Sequence, residues 1–146
     1  MDIIVTTPVS QMASAAQEAK DCIARGVGTY FRRLGYFRNG KLCGFPRHLN
    51  AGDRVWYTEA GFVRGYCLVR ETRVVEEQVV CQTTGRVYEP GFYVWMSASS
   101  WVWVKPVPYR GFQGWRYQQQ GLSPVPVGGW LDPRPWLVEP ASIGDY

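Results

Sequence analysis

Two β-type segments joined by a very short turn limit what this chain can fold into more than any other feature. Residues Arg54 to Thr58 and Phe62 to Val69 flank Glu59-Ala60-Gly61, a connection short enough for a hairpin. Because side chains alternate along a strand, one face of the second segment is small and apolar, and we expect it to look into the core: Val63, Gly65, Cys67 and Val69. Gly65 would let a ring or another backbone approach closely.

A helix is predicted near the start of the chain. Ser10 can cap it, the alanine-rich run from Ala13 to Ala24 has high helix propensity, and Gly26 supplies a stop. Strand patterns occur at Ile3 to Thr6, Val27 to Phe37, Glu77 to Gln82, Phe92 to Met96 and Trp101 to Val104. This order predicts an α+β fold, a small β-barrel with one helix after its first strand. We place the domain at residues 1–117 and an extended, proline-rich tail that docks along it at residues 118–146.

The segment from Phe92 to Tyr117 combines aromatic rings with positive charge. Four of its aromatic residues are tryptophan, and Lys105, Arg110 and Arg116 are interleaved with them. The formal charge of the chain is +4, and most basic residues are arginine, which stacks on rings and forks onto phosphate. This combination favours a nucleic-acid partner. Since most tryptophans on strands are packing residues, we expect one or two rings to line a pocket, with one tryptophan pair as a partly exposed platform.

Cysteine and histidine usage argues against a metal site. The cysteines are far apart, at Cys22, Cys43, Cys67 and Cys81, and His48 is the only histidine. Neither a zinc site nor a disulfide framework fits this spacing, so we expect no metal, no cofactor and reduced thiols in a cytoplasmic protein. The first residues lack a signal-peptide pattern, and no apolar stretch is long enough to span a bilayer, so no membrane partner is expected.

The run from Leu49 to Tyr57, followed by Val63-Arg64-Gly65-Tyr66, resembles the pattern of the PUA-like superfamily, which includes the ASCH, EVE and YTH domains. In that pattern the Gly52-Asp53 pair begins a barrel strand, and Gly65 sits on the next strand where the barrel is tight. The resemblance covers roughly residues 1–117. It implies a domain that binds RNA or DNA, and the EVE and YTH branches hold a flipped, modified base in an aromatic pocket.

The resemblance places such a pocket between the end of the first strand, the start of the helix and the aromatic strands. Hydroxyl groups that could read a base edge are those of Thr6, Thr7 and Ser10. Candidate stacking rings are Trp95, Trp101, Trp103 and Trp115. Candidate phosphate contacts are Arg32, Arg33, Arg64, Arg110 and Arg116. Gln113, in a loop framed by two glycines, completes the predicted nucleic-acid-binding set.

Two other functions stay open. Some ASCH proteins resemble amidohydrolases that act on acylated nucleosides with a lysine, a threonine and a glutamate. The family's G-x-K-x-x-E-x-R pattern is absent here, and the nearest substitutes, Lys20, Thr6 or Thr7, and Glu59, do not have its spacing, so no catalytic residue is predicted. Tryptophan, tyrosine and arginine are also frequent at protein interfaces, which allows a protein-interaction module of a phage or defence system.

Overall fold

The computed structural model describes residues 1–6, 23–26, 28–59, 61–81, 85–110, 112–118 and 125–129. The strands in these ranges are β1 (Ile3–Thr6), β2 (Thr29–Arg38), β3 (Lys41–Cys43), β4 (Arg54–Glu59), β5 (Phe62–Val75), β6 (Val79–Val80), β7 (Val87–Tyr88), β8 (Gly91–Ser97), β9 (Val102–Pro108), β10 (Trp115–Tyr117) and β11 (Pro126–Gly129). A 3₁₀ turn, Ala98–Ser100, joins β8 to β9.

The predicted α+β class is wrong, because the described residues are nearly all β. Strands make up 61% of them and helical residues 5%, with no helix of seven or more residues. The helix predicted from Ala13 to Ala24 lies outside the described residues except for its last two, Ile23 and Ala24. The helix propensity of an alanine-rich run affects only that run. Aromatic and β-branched residues, which favour strands, occur along most of the chain.

Nine of the described strands form one curled sheet that makes a half-barrel. The strand order is β10-β1-β4-β5-β8-β2-β3, and β9 and β11 extend a branch from β5. The pairing of β1 with β4 is parallel and the other pairings are antiparallel. β6 and β7 form a separate two-stranded ribbon, here called the arm. The prediction of a β-barrel agrees with the structure only in this coarser form.

The long strand β5 makes the sheet curl. Its first half pairs with β4 and β9, and its second half pairs with β8. Pairing slips by one residue at Arg64, between Val63 and Gly65, and again between Val69 and Glu71. Such bulges bend a strand and increase its twist. The slip at Arg64 also moves Val63 away from the inward face, so the prediction that Val63 shares a face with Gly65 is wrong.

Both faces of β9 are covered. Trp101, just before β9, and Trp103 lie in the larger core cluster inside the half-barrel, where they are 2% and 5% exposed. Val104 is fully buried in a second cluster on the opposite side of the sheet, with Ile4 and Trp56. The prediction of a partly exposed platform is therefore wrong for the Trp101 and Trp103 pair, because each face of the strand packs against its own apolar layer.

The described part of the predicted tail adds a strand to the sheet. Pro126–Gly129 forms β11 and pairs with β9, and the Lys105 amide donates a 2.8 Å hydrogen bond to the Val125 carbonyl. Residues 119–124 and 130–146 lie outside the described residues. Among the residues described, no helix is long and apolar enough to cross a membrane.

Candidate functional site

The structure separates the predicted site residues into several places. Thr7 and Ser10 lie outside the described residues. Trp101 and Trp103 are in the core. Thr6 ends β1, Trp115 begins β10, Arg32 lies in the first half of β2, and Arg64 is at the bulge of β5. Arg33 and Trp95 lie together on the face of the sheet that points away from the core. Arg110, Gln113 and Arg116 are exposed in and after the connection between β9 and β10.

Side chains close the gap between the two ends of the curled sheet, β10 and β3, and we call this gap the seam. The Trp115 indole Nε1 donates a 2.8 Å hydrogen bond to the Gly44 carbonyl, just beyond β3. The Arg32 Nη2 donates a 2.7 Å hydrogen bond from β2 to the Thr6 carbonyl at the end of β1. These polar groups of Trp115 and Arg32 therefore hold the sheet together across the seam.

Buried polar side chains accumulate where β1, β4 and β5 meet. Thr6 pairs with Thr58 at the ends of β1 and β4, and its Oγ1 is buried without a hydrogen-bond partner. Next to this pair, Glu59 is buried, and Arg64 is buried with its guanidinium 4.8 Å from the Phe62 ring centre. Because these charged groups face the interior, they do not offer an open surface to the phosphates of a polymer.

This cluster also bears on the amidohydrolase alternative. The amidohydrolases use a threonine, a glutamate and a lysine. The cluster places Thr6 and Glu59 at the ends of neighbouring strands. Lys20, the third, lies outside the described residues. Within the ranges that the structure describes, no three His, Cys, Asp or Glu side chains are grouped as metal ligands.

A group of rings and arginines lies on the outer side of β5, β8 and β2. The register places Trp95 of β8 opposite Glu71 of β5 on one side and Phe31 of β2 on the other. In the next row, Tyr93 lies between Arg73 and Arg33 in the same way. The Tyr88 ring of the arm contacts the Phe31 ring of this surface. We call the group the aromatic-arginine face, and its members are Phe31, Arg33, Glu71, Arg73, Tyr88, Tyr93 and Trp95.

The rings of this face contact one another. Phe31 is 6.1 Å from Trp95 and 5.5 Å from Tyr93, measured between ring centres, and both pairs are tilted. Tyr88 meets Phe31 edge-on at 5.1 Å and 84°. Phe31, Tyr88 and Trp95 are half-buried, whereas Tyr93 beneath them is fully buried. The four rings therefore form one packed cluster, in which three rings are partly accessible to solvent.

Charged groups surround these rings. The Arg73 guanidinium lies 4.6 Å from the Trp95 ring centre, and its Nη2 donates a 3.0 Å hydrogen bond to Glu71 Oε1. Both side chains are more than half exposed, at 58% for Arg73 and 52% for Glu71. The guanidinium of Arg86, the residue before β7, lies 5.2 Å from the Tyr88 ring centre. Cations over ring faces are electrostatically favourable and leave the guanidinium edges available for hydrogen bonds.

The base of the arm is fixed to the sheet. The Tyr93 hydroxyl donates to the Glu89 carbonyl, and Arg33 Nη2 donates a 2.8 Å hydrogen bond to the Pro90 carbonyl. Burial raises the pKa of Tyr93, against the opposing effect of the Arg33 charge, so the phenol remains a neutral donor. Tyr88 is consequently held over Phe31 by a fixed connection.

Sequence reasoning found only Arg33 and Trp95 of this face. Phe31 stands in a segment, Val27 to Phe37, that the sequence predicts as strand-like, but its partner strand was not predicted. Glu71 and Arg73 fall in a stretch of β5 beyond the predicted end of that strand at Val69. The β-branched residues Thr72, Val74 and Val75 favour a longer strand there, but they do not identify its partner.

Comparisons of the chain with family models, with curated proteins and with solved structures found no match. The PUA-like resemblance rests on the residues between Leu49 and Tyr66 and stays a prediction. A functional inference for this chain therefore depends on the geometry of its side chains.

Proposed function

We propose that the protein binds nucleic acid without catalysis through the aromatic-arginine face, with one or two bases splayed out against Trp95 and Phe31. The observation that carries this proposal is the position of Arg73, which lies over a half-buried tryptophan ring while its side chain stays 58% exposed. One surface thus offers a ring for a base and a guanidinium for the adjacent phosphate.

The arrangement of the rings supports single-stranded binding. Aromatic side chains on an open sheet stack bases through their π-faces, and two or three such rings suit a short unstacked segment. The 6.1 Å between Phe31 and Trp95 places two rings side by side across neighbouring strands. A base bound there leaves its own stack, as predicted for a flipped base. Duplex DNA keeps its base faces covered and would contact this surface only through phosphates.

Titration of intrinsic tryptophan fluorescence tests the proposal. Short single-stranded DNA and RNA oligonucleotides, plain and base-modified, are compared with a duplex at low salt. We expect quenching by single strands and a loss of about 1–3 kcal/mol of binding free energy in Trp95→Ala, the usual contribution of one stacked base. Two phosphate contacts would give a slope of about −1.4 in a plot of log affinity against log salt.

A matched arginine pair makes the test specific to this face. Arg54 lies 5.9 Å from the Trp56 ring centre on another part of the sheet, just as Arg73 lies over Trp95. Arg73→Gln should weaken binding and flatten its salt dependence, whereas Arg54→Gln removes the same charge and should change both much less. Absence of quenching with every oligonucleotide, or equal effects of the two substitutions, would contradict the proposal.

A protein-binding surface is the second candidate, favoured by exposed valines on the arm. Val80 and Val87 are directly paired across its two strands and are 58% and 51% exposed. Apolar side chains in such a position can contribute to a protein interface. An interface built on these valines should respond weakly to salt, whereas nucleic-acid binding should weaken steeply as salt rises.

A further inference from the structure

The acidic residue Glu71 lies within a surface that is otherwise aromatic and basic. It stands directly opposite Trp95 in the pairing of β5 with β8, while Phe31 stands on the other side of Trp95. Side chains directly opposite each other on neighbouring strands have Cβ atoms about 4.5–5.5 Å apart. A base stacked on Trp95 and Phe31 would therefore have the Glu71 carboxylate at its edge.

The charge of Glu71 decides which base edges suit this position. An ionised carboxylate only accepts hydrogen bonds. Cytosine presents an amino group at its C4 position, which is a donor, whereas thymine and uracil present a carbonyl oxygen there. The amino group can donate to the carboxylate from the outer part of this edge. Thymine and uracil can donate only through N3–H, which lies between two carbonyl oxygens that would face the carboxylate with like partial charge.

We propose that Glu71 is a specificity-determining residue that favours cytosine over thymine and uracil at the base stacked on Trp95. This inference rests on the proposed function of the aromatic-arginine face. Glu71 Oε1 accepts from Arg73, and the second carboxylate oxygen, Oε2, is the acceptor assigned to the base. The ion pair is exposed on both sides, so the guanidinium can turn towards a phosphate at little cost.

The experiment compares single-stranded oligocytidine with oligothymidine, and the RNA forms of cytidine with uridine, by fluorescence titration of the intact chain. Cytosine and uracil are of equal size, so the RNA pair isolates the edge from the stacking surface, whereas thymine adds a C5 methyl group. The wild-type protein should bind the cytosine strands about tenfold more tightly, within the range of a good base-edge contact. In Glu71→Gln this ratio should fall towards one, because an amide can donate to the carbonyl as readily as it accepts from the amino group.

Glu77→Gln is the matched control. Glu77 is exposed beyond the end of β5, so the substitution removes the same negative charge away from the rings. It should raise the affinity for both strands equally and leave their ratio unchanged. Equal binding of cytosine and thymine strands by the wild-type protein, or a ratio that Glu71→Gln does not change, would overturn the role of Glu71 while leaving nucleic-acid binding intact. A complete lack of binding by any strand would overturn both.

Discussion

At the scale of single residues, Gly65 determines how closely two parts of the sheet approach. A Cβ atom at this position would lie 2.5 Å from Cζ2 of Trp101 and 2.6 Å from the Val102 carbonyl oxygen. The backbone and a buried ring would both have to move. We expect Gly65→Ala to lower the free energy of unfolding by about 1–3 kcal/mol, the usual cost of overpacking a core.

Urea denaturation measures this change, and Gly28→Ala supplies its control. A Cβ at Gly28 would meet only the Arg70 Nη1 atom, at an ordinary contact distance of 3.7 Å. A loss of stability in Gly65→Ala no larger than that in Gly28→Ala would mean that the sheet accommodates the methyl group.

The close approach at Gly65 was predictable from the sequence, but its partner was not. Strand parity correctly places Trp101 and Trp103 on the face opposite Val104. Strand parity does not predict which face stays exposed to solvent, because that depends on which other parts of the chain pack against each face. Trp95 remains half-buried on the outer side for the same reason, since the arm is the element that approaches this part of the sheet among the residues that the structure describes.

At the scale of elements, the sequence located the turns better than it located the ends of the strands. An Asn-Gly pair is a strong turn signal in a sequence, and Asn39 and Gly40 adopt positive φ, 52° and 75°, between β2 and β3. The hairpin of β4 and β5 was also predicted correctly. In contrast, β5 continues to Val75 because its second half gains a new partner, β8, and this long-range pairing has no signal near Val69.

The short strand β10 provides a prediction for the seam. Trp115→Phe keeps a ring beside Tyr117 but removes the indole hydrogen bond to the Gly44 carbonyl. The lost bond should cost about 1 kcal/mol, which corresponds to roughly fivefold faster opening of the seam. Without its anchor to Gly44, β10 should separate from β1 more often, and hydrogen exchange should therefore accelerate at the Thr6 amide, which donates to the Gly114 carbonyl just before β10.

The central amide of Val94 in β8 serves as the internal reference for that experiment. It lies in the middle of the sheet, where exchange requires more than opening at the edge. Equal acceleration at Thr6 and Val94 would argue that the seam does not open as a separate unit.

At the scale of the whole molecule, the half-barrel encloses a polar cluster that forms only when both halves of the sheet come together. The Tyr30 hydroxyl of β2 is 2.7 Å from Cys67 Sγ of β5, and the Tyr57 hydroxyl of β4 donates a 3.1 Å hydrogen bond to Met96 Sδ of β8. Sequence patterns predicted that Cys67 faces the core, but a cluster drawn from four strands depends on the curl of the sheet and could not be read from them.

This cluster makes stability sensitive to alkaline pH. Burial raises the pKa of Cys67 to about 12, although hydrogen bonds from Tyr30 and Ser100 oppose this. Burial, followed by the charge of Cys67, also raises the pKa of Tyr30 well above its usual value. Both groups therefore keep their protons in the folded protein at pH values where the unfolded chain has lost them.

Because both pKa values are raised, the stabilising contribution is complete below about pH 8.5, the usual pKa of cysteine, and is lost as the pH rises towards the folded values. Each group should cost about 1.4 kcal/mol per pH unit, beginning with Cys67 and joined by Tyr30 above about pH 10. Urea unfolding between pH 7 and 11 measures the slope. Cys67→Ala should lose the part that begins near pH 9, and a slope there equal to that of the wild-type protein would mean that the buried thiol does not govern the alkaline response.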